Sequence, residues 1–289
     1  VLPKKILVTG ANGQLGSELK DLAPQFSTIH FLFVGRDEFP LNDLSRIKAF
    51  LLSERPDVLI NCAAYTAVDT AETDKENAFL VNAHAVKTMA EICKEMSSRF
   101  IHISTDYVFD GAAHVPYSVD AKANPKSVYG ASKQKGEELA LAANADTIIV
   151  RTAWVYSAYG KNFVKTMLRL MDSKPEIGVV NDQFGSPTYA ADLAAVLLAI
   201  ALTDHPPKGI FHFTNEGVIS WYEFAQAIKE IHGSGCKVNP IPTTAYPTPA
   251  ARPSYSVLDT SRIYQEFPSL EPHHWKDSLK RCLAKLSDA

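Results

Sequence analysis

Through the first half of the chain, short and nearly unbroken apolar runs alternate with longer stretches whose apolar positions recur every three or four residues. Ile6, Leu7, Val8 and Ile148, Ile149, Val150 are runs of the first kind, which suit strands covered on both faces. The pattern predicts strands at Lys5 to Thr9, Thr28 to Val34, Val58 to Asn61, Arg99 to Ser104 and Thr147 to Arg151. Between them it predicts helices from about Gly13 to Leu22, Leu44 to Ser53, Lys75 to Met96, and from Val128 onward. Such regular alternation predicts an α/β fold built on a doubly wound parallel sheet.

After Arg151 the rhythm loosens. Helices are expected at Asn162 to Met171, Ala191 to Leu202 and Trp221 to Ile231, with a short strand at Ile177 to Val180. Pro240, Pro242, Pro247, Pro249 and Pro253 then mark a loop-rich stretch. Residues 1–154 are expected to form a nucleotide-binding domain and residues 155–289 mainly a smaller α/β cap for substrate. The helix near residues 189–202 is expected to pack back on the first domain.

The first strand runs directly into Gly10, Ala11, Asn12, Gly13, Gln14, Leu15, Gly16 and a helix. Glycines so spaced permit a tight turn and close approach of backbone N–H groups to a pyrophosphate at the helix N-terminus. An N-terminal strand, this loop, a helix and a second strand together predict a Rossmann domain that binds a dinucleotide. The second strand ends at Val34, Gly35, Arg36, Asp37, with Arg36 where an NAD-preferring site normally holds an acid. A guanidinium pairs well with a 2′-phosphate, so NADPH is the expected cofactor; NADH is the alternative, with Arg36 solvated and Asp37 on the ribose. Asp43 and Leu44, where the second helix begins, are counted with the cofactor-binding set. So are Ala63, Ala64 and Tyr65 beyond the third strand, where small residues let a cofactor lie close to the backbone.

Tyr129, Gly130, Ala131, Ser132, Lys133 place a phenol and an ammonium one helical turn apart. Alone, the pair reads more readily as two surface residues of an amphipathic helix. Downstream of a glycine loop and a strand ending Ser104, Thr105, Asp106, it acquires a chemical reading. Thr105 polarises a carbonyl oxygen, Tyr129 supplies a proton, and Lys133 lowers the phenol pKa and holds the nicotinamide ribose, Tyr129 being counted with Lys133 in the cofactor-binding set as well.

Composition narrows the rest. The 289 residues are 46% hydrophobic with a formal net charge of −3, room for a full core and no basic stripe for nucleic acid. Val1, Leu2 and Pro3 lead into the first strand without a signal-peptide pattern, and the longest apolar run, Leu193 to Leu202, is half a membrane span. A cytoplasmic protein is expected, with no membrane or nucleic-acid partner. Cys62, Cys93, Cys236 and Cys282 lack metal-type spacing and read as free thiols.

The glycine loop, the strand-end hydroxyl and the Tyr-x-x-x-Lys pair resemble the extended short-chain dehydrogenase/reductase superfamily. Ala63 to Asp69 (AAYTAVD), Ser104 to Gly111 (STDYVFDG), Arg151 to Tyr156 (RTAWVY), Asn181 to Thr188 (NDQFGSPT) and Tyr246 to Pro253 (YPTPAARP) narrow the resemblance to the dTDP-4-dehydrorhamnose reductases. The resemblance implies hydride transfer from NAD(P)H to C4 of dTDP-4-dehydro-L-rhamnose, with Tyr129 protonating the alkoxide. It further implies that Trp154, Val108, Phe109 and Asn162 border the sugar. Arg252, in the proline-rich stretch, is a candidate for the nucleotide diphosphate.

Some of these reductases bridge a dimer through magnesium held by glutamates, and Glu18 matches one such position. Ala191 with Asp192 stands at another, and the chain ends Lys285, Leu286, Ser287, Asp288, Ala289 without a glutamate. No structural magnesium is therefore expected, Glu18 reads as a first-turn helix residue, and a monomer or weak homodimer is expected. Two other readings remain open: a nucleotide-sugar epimerase or dehydratase that recycles its cofactor, and a catalytically silent NADP-binding regulatory subunit.

Overall fold

The computed structural model describes residues 4–287, so Val1 to Pro3, Asp288 and Ala289 lie outside the described residues. Six parallel strands form the main sheet. Five of them are β1 (Lys5–Thr9), β2 (His30–Val34), β3 (Val58–Asn61), β4 (Arg99–Thr105) and β5 (Ile148–Thr152). Across the sheet the order is Gly209–His212, β5, β4, β3, β1, β2. The edge strand Gly209–His212 pairs in parallel with β5 and was not foreseen from its short apolar run.

Alternate side chains of each strand feed opposite cores. Ile6 and Val8 of β1 join Ile60, Ile101 and Val150 on one face, where Leu193 and Leu197 of the helix Ala190–Leu202 cover them. Leu7 joins Leu59 and Phe100 on the other, beneath Val86 and Met89. The helix Ser261–Glu266 also seals the first core through Ile263. A separate core gathers Tyr156, from the short strand Val155–Tyr156, with Met167, Phe224 and Leu279 of the helices Phe163–Ser173, Trp221–His232 and Trp275–Ser287. Among the described residues no helix is long and apolar enough to cross a membrane.

The predicted long helix from Lys75 to Met96 is interrupted. An α-helix at Lys75–Phe79 passes into a π-helical turn, Leu80–His84, before Ala85–Met96 resumes. The wider turn carries buried Asn82 to the backbone of Tyr65, accepting from its N–H at 2.9 Å and donating to its carbonyl at 3.0 Å. Asn82 Nδ2 also donates to Ser132 Oγ at 3.0 Å, so the turn ties the loop after β3 to the helix Val128–Ala143.

Glu18 is not a first-turn residue. It lies well inside the helix α1 (Gln14–Leu22), is 1% exposed, and accepts from Ser157 Oγ and from Lys285 Nζ, each at 2.6 Å. Lys285 also bonds Asp21 at 2.5 Å, which pins the C-terminal helix to α1. Asp192 is held in the same way by Asn215, Ser278 and Arg281. Lys285→Ala would strand the Glu18 carboxylate in the interior. A fully buried broken pair costs about 3–5 kcal/mol, and water at the one-third exposed lysine reduces this to about 1–3 kcal/mol, read from the urea midpoint.

Candidate active site

The site lies beyond the carboxyl ends of the strands, at the point where the order reverses between β1 and β3. There Gly10 takes a left-handed φ of 68°, and a Cβ on it would stand 2.9 Å from the backbone nitrogen of Ala63. Only glycine lets the two loops approach this closely. Gly13 begins α1 without a side-chain cap, which leaves the start of the helix able to receive an anion. The cradle and its N–H donors fit a dinucleotide pyrophosphate.

Arg36 stands exposed just past β2 and makes no hydrogen bond or ion pair among the described residues. Beside it the Gly35 N–H is held by Glu38 at 2.9 Å, next to Asn12 of the glycine loop. Asp43 is committed elsewhere: its Oδ1 caps the helix Leu44–Glu54 through the N–H groups of Ser45 and Arg46. Leu44 packs on the core of that face.

The helix Val128–Ala143 carries Tyr129 and Lys133. Ser127 caps it by accepting from the Gly130 N–H at 3.1 Å, and a Cβ on Gly130 would fall 2.1 Å from the Tyr107 carbonyl. The helix therefore starts hard against the loop after β4. That contact brings the Tyr129 phenol onto the Thr105 hydroxyl, which itself donates to Asp106 Oδ1 at 2.9 Å. Burial pushes the phenol up to about 12, opposed by the Thr105 hydrogen bond.

One expectation is corrected here. Lys133 does not act on the phenol: its ammonium is turned inward, donating to the Ile103 carbonyl at 2.6 Å with His102 Nε2 at 3.2 Å. Burial pulls Lys133 down to about 8, with the Glu137 carboxylate drawing it back. Asp106, not singled out from sequence, is 3% exposed, and burial pushes its carboxyl up to about 6. Its Oδ2 has no hydrogen-bond partner among the described residues.

A cavity of about 190 Å³ opens between Tyr107, Trp154, Gln183, Trp221 and Pro253. Trp154, at a φ of 50°, stacks on Trp221 with ring centroids 3.5 Å apart. Tyr107 and Pro253 also border a second recess beside Arg252. Arg252 donates to Asp69 Oδ2 at 2.7 Å, and its Nη1 is buried without a partner among the described residues.

Of the predicted sugar contacts, Phe109 lines the second recess beside Arg252, whereas Val108 and Asn162 are engaged elsewhere. Val108 is fully buried, in a small core with Phe109, Tyr117 and Leu258. Phe109 is 3% exposed, stacked on Tyr117 at 4.3 Å and covered by the Arg151 guanidinium. Asn162 caps the helix Phe163–Ser173 and gives its amide to Gln14, Ser157 and Tyr159. Trp221, Tyr107 and Gln183 were missed. Tyr107 and Gln183 lay within stretches already quoted, whereas Trp221 read only as the start of a helix.

The chain is similar to known proteins over nearly its whole length. A dTDP-4-dehydrorhamnose reductase from Aggregatibacter actinomycetemcomitans is 40% identical, over 97% of this chain and 98% of its own. The crystal structure of a dTDP-4-dehydrorhamnose reductase from Clostridium acetobutylicum superposes with a TM-score of 0.93 at 39% identity, covering 98% of this chain and 99% of that one. The enzyme of that name from Bacillus anthracis, solved in complex with NADP, gives 0.92 at 35% identity over the same shares. The family model described as the RmlD substrate binding domain matches residues 4–288, and the chain belongs to that family.

Proposed function

We propose that this protein is an NADPH-dependent oxidoreductase that reduces the C4 ketone of dTDP-4-dehydrorhamnose to the alcohol. The observation that carries the reading is convergence. Tyr107, Trp154, Gln183 and Pro253 come from four separate motif stretches, yet they surround one cavity, and its Tyr107 ring meets the Tyr129 ring at 5.6 Å. Relatives named for this reaction, one solved with NADP, support the same substrate and cofactor.

When bound, NADPH supplies the hydride. The chain's own residues do the rest. The glycine loop and the α1 N-terminus hold the pyrophosphate, and Arg36 meets the 2′-phosphate. Thr105 and Tyr129 bracket the ketone oxygen, and Tyr129 gives its proton to the oxygen as negative charge develops. An alkoxide is a far stronger base than a phenolate, so the transfer runs downhill even from a phenol near 12. Arg252, with one buried donor free, suits a diphosphate oxygen, and the two tryptophans offer flat faces to the sugar. The protein is read as working in the cytoplasm on a diffusible nucleotide sugar, as a monomer or weak homodimer.

Steady loss of nicotinamide absorbance with dTDP-4-dehydrorhamnose, one NADPH per sugar, tests the reading. An epimerase would recycle its cofactor and show no net oxidation. Arg36→Ala should lower the NADPH to NADH ratio of kcat/KM about tenfold, the loss of one charge-assisted contact. An unchanged ratio would remove Arg36 from the cofactor site.

A further inference from the structure

Below the site, four polar side chains form a buried file across three neighbouring strands. Thr9 of β1 meets the Asn61 amide of β3 at 2.6 Å, that amide meets His102 Nδ1 of β4 at 3.0 Å, and His102 Nε2 meets Lys133 Nζ at 3.2 Å. All four are at most 2% exposed. Polar groups at this depth must be matched donor to acceptor, or each costs free energy.

The matching fixes the protons. Burial and the adjacent Lys133 charge hold the imidazole neutral, so it carries a single N–H. With the Asn61 oxygen toward Thr9, His102 Nδ1 would accept from the amide, Nε2 would keep the proton, and an N–H would oppose the ammonium. With the amide turned over, so that Thr9 accepts where it otherwise donates, the contacts along the file are complementary. Lys133 donates to Nε2, Nδ1–H donates to the Asn61 oxygen, and the Asn61 nitrogen donates to Thr9 Oγ1, which already accepts from the Ala63 N–H at 3.3 Å.

We propose that His102 is a positioning residue: as the Nδ1–H tautomer it accepts from Lys133 and, through Asn61 and Thr9, ties the ammonium to the strand ends that carry the cofactor loops. The proposal rests on the reading of Lys133 as a cation in an NADPH site, but not on the identity of the sugar. The file ends at Ala63, whose backbone Gly10 approaches most closely. Lys133 is the charged group facing the imidazole; Phe100 stacks beside it, and Glu137, one turn further along the helix, is paired with Arg151.

Two measurements test it without using turnover. In protein labelled with 15N-histidine, with His102 assigned by its loss in a variant, the shifts should report a protonated Nδ1 and a bare Nε2 near neutral pH. A proton on Nε2 would overturn the proposal. The second is NADPH affinity against pH, read by nicotinamide fluorescence. In His102→Gln the side-chain oxygen falls near the Nε2 position and keeps an acceptor for Lys133; in His102→Asn it falls near Nδ1 and does not. The expected result is affinity within about threefold of the unsubstituted protein for Gln. For Asn, affinity should fall about tenfold, with its alkaline loss beginning about one pH unit lower because the ammonium has lost an acceptor. Equal affinities and pH profiles in the two folded variants would overturn the proposal.

Discussion

Tyr129→Phe is expected to lower kcat for sugar reduction by about 10³-fold, within the range that a positioned general acid contributes. NADPH affinity should stay within about threefold, because the ring is kept and the proposed work of the lost hydroxyl is at the ketone. The substitution removes one oxygen and keeps the ring, which meets Tyr107 edge-on at 5.6 Å, so the helix start should hold its place. Thr105 retains its bond to Asp106, and what is lost is the proton at the end of the phenol. Single-turnover absorbance together with fluorescence binding separates the two effects. If the Phe variant kept full rate, the donor would have to be another group. Asp106, in contact with the same threonine and pushed up to about 6, would be the first to examine.

Glu137→Leu should be more destabilising than Lys285→Ala. Arg151 and Glu137 are each 4% exposed and bonded twice, at 2.9 Å and 2.6 Å. Removing the carboxylate leaves a guanidinium inside the protein with the Val119 carbonyl, neutral His212 and the Phe109 ring near it and no counter-charge among its bonded partners. Breaking a buried pair in this way costs about 3–5 kcal/mol. The melting temperature should fall on the order of 6–15 °C. Adding Arg151→Met should restore much of that loss, because the penalty comes from the unpaired charge and not from a missing attraction. A Leu variant that melts like the parent would mean that water reaches Arg151.

The strands of the first half were legible because each is a run of apolar residues covered on both sides, a pattern few other structures require. Gly209–His212 was not, since its neighbours Ile210 and Phe211 make too short a run to separate from a loop. The π turn at Leu80–His84 leaves the helical spacing around it nearly intact, so nothing in the periodicity marks it. Within the site, the glycine loop, Thr105 and the Tyr129 and Lys133 pair were readable because spacing alone implies shared faces. Where the lysine points was not, because that depends on His102, a polar interruption of the apolar run Phe100 to Ile103. Val108 was misplaced because the short 3-10 turn Asp106–Val108 rotates it into the interior. Asn162 carried a usable signal, since asparagine before an apolar helix is a favoured cap. Trp221 meets Trp154 only through tertiary packing, which no local pattern encodes.

The central claim is that hydride leaves the cofactor for C4 of the sugar and does not return. The most direct measurement uses NADPH carrying deuterium at the transferable position, with dTDP-4-dehydrorhamnose as substrate and the product examined by NMR. The account predicts one deuterium at C4 of the reduced sugar for each NADPH oxidised. Product without deuterium at C4, or an isomerised sugar with no net oxidation of cofactor, would contradict it.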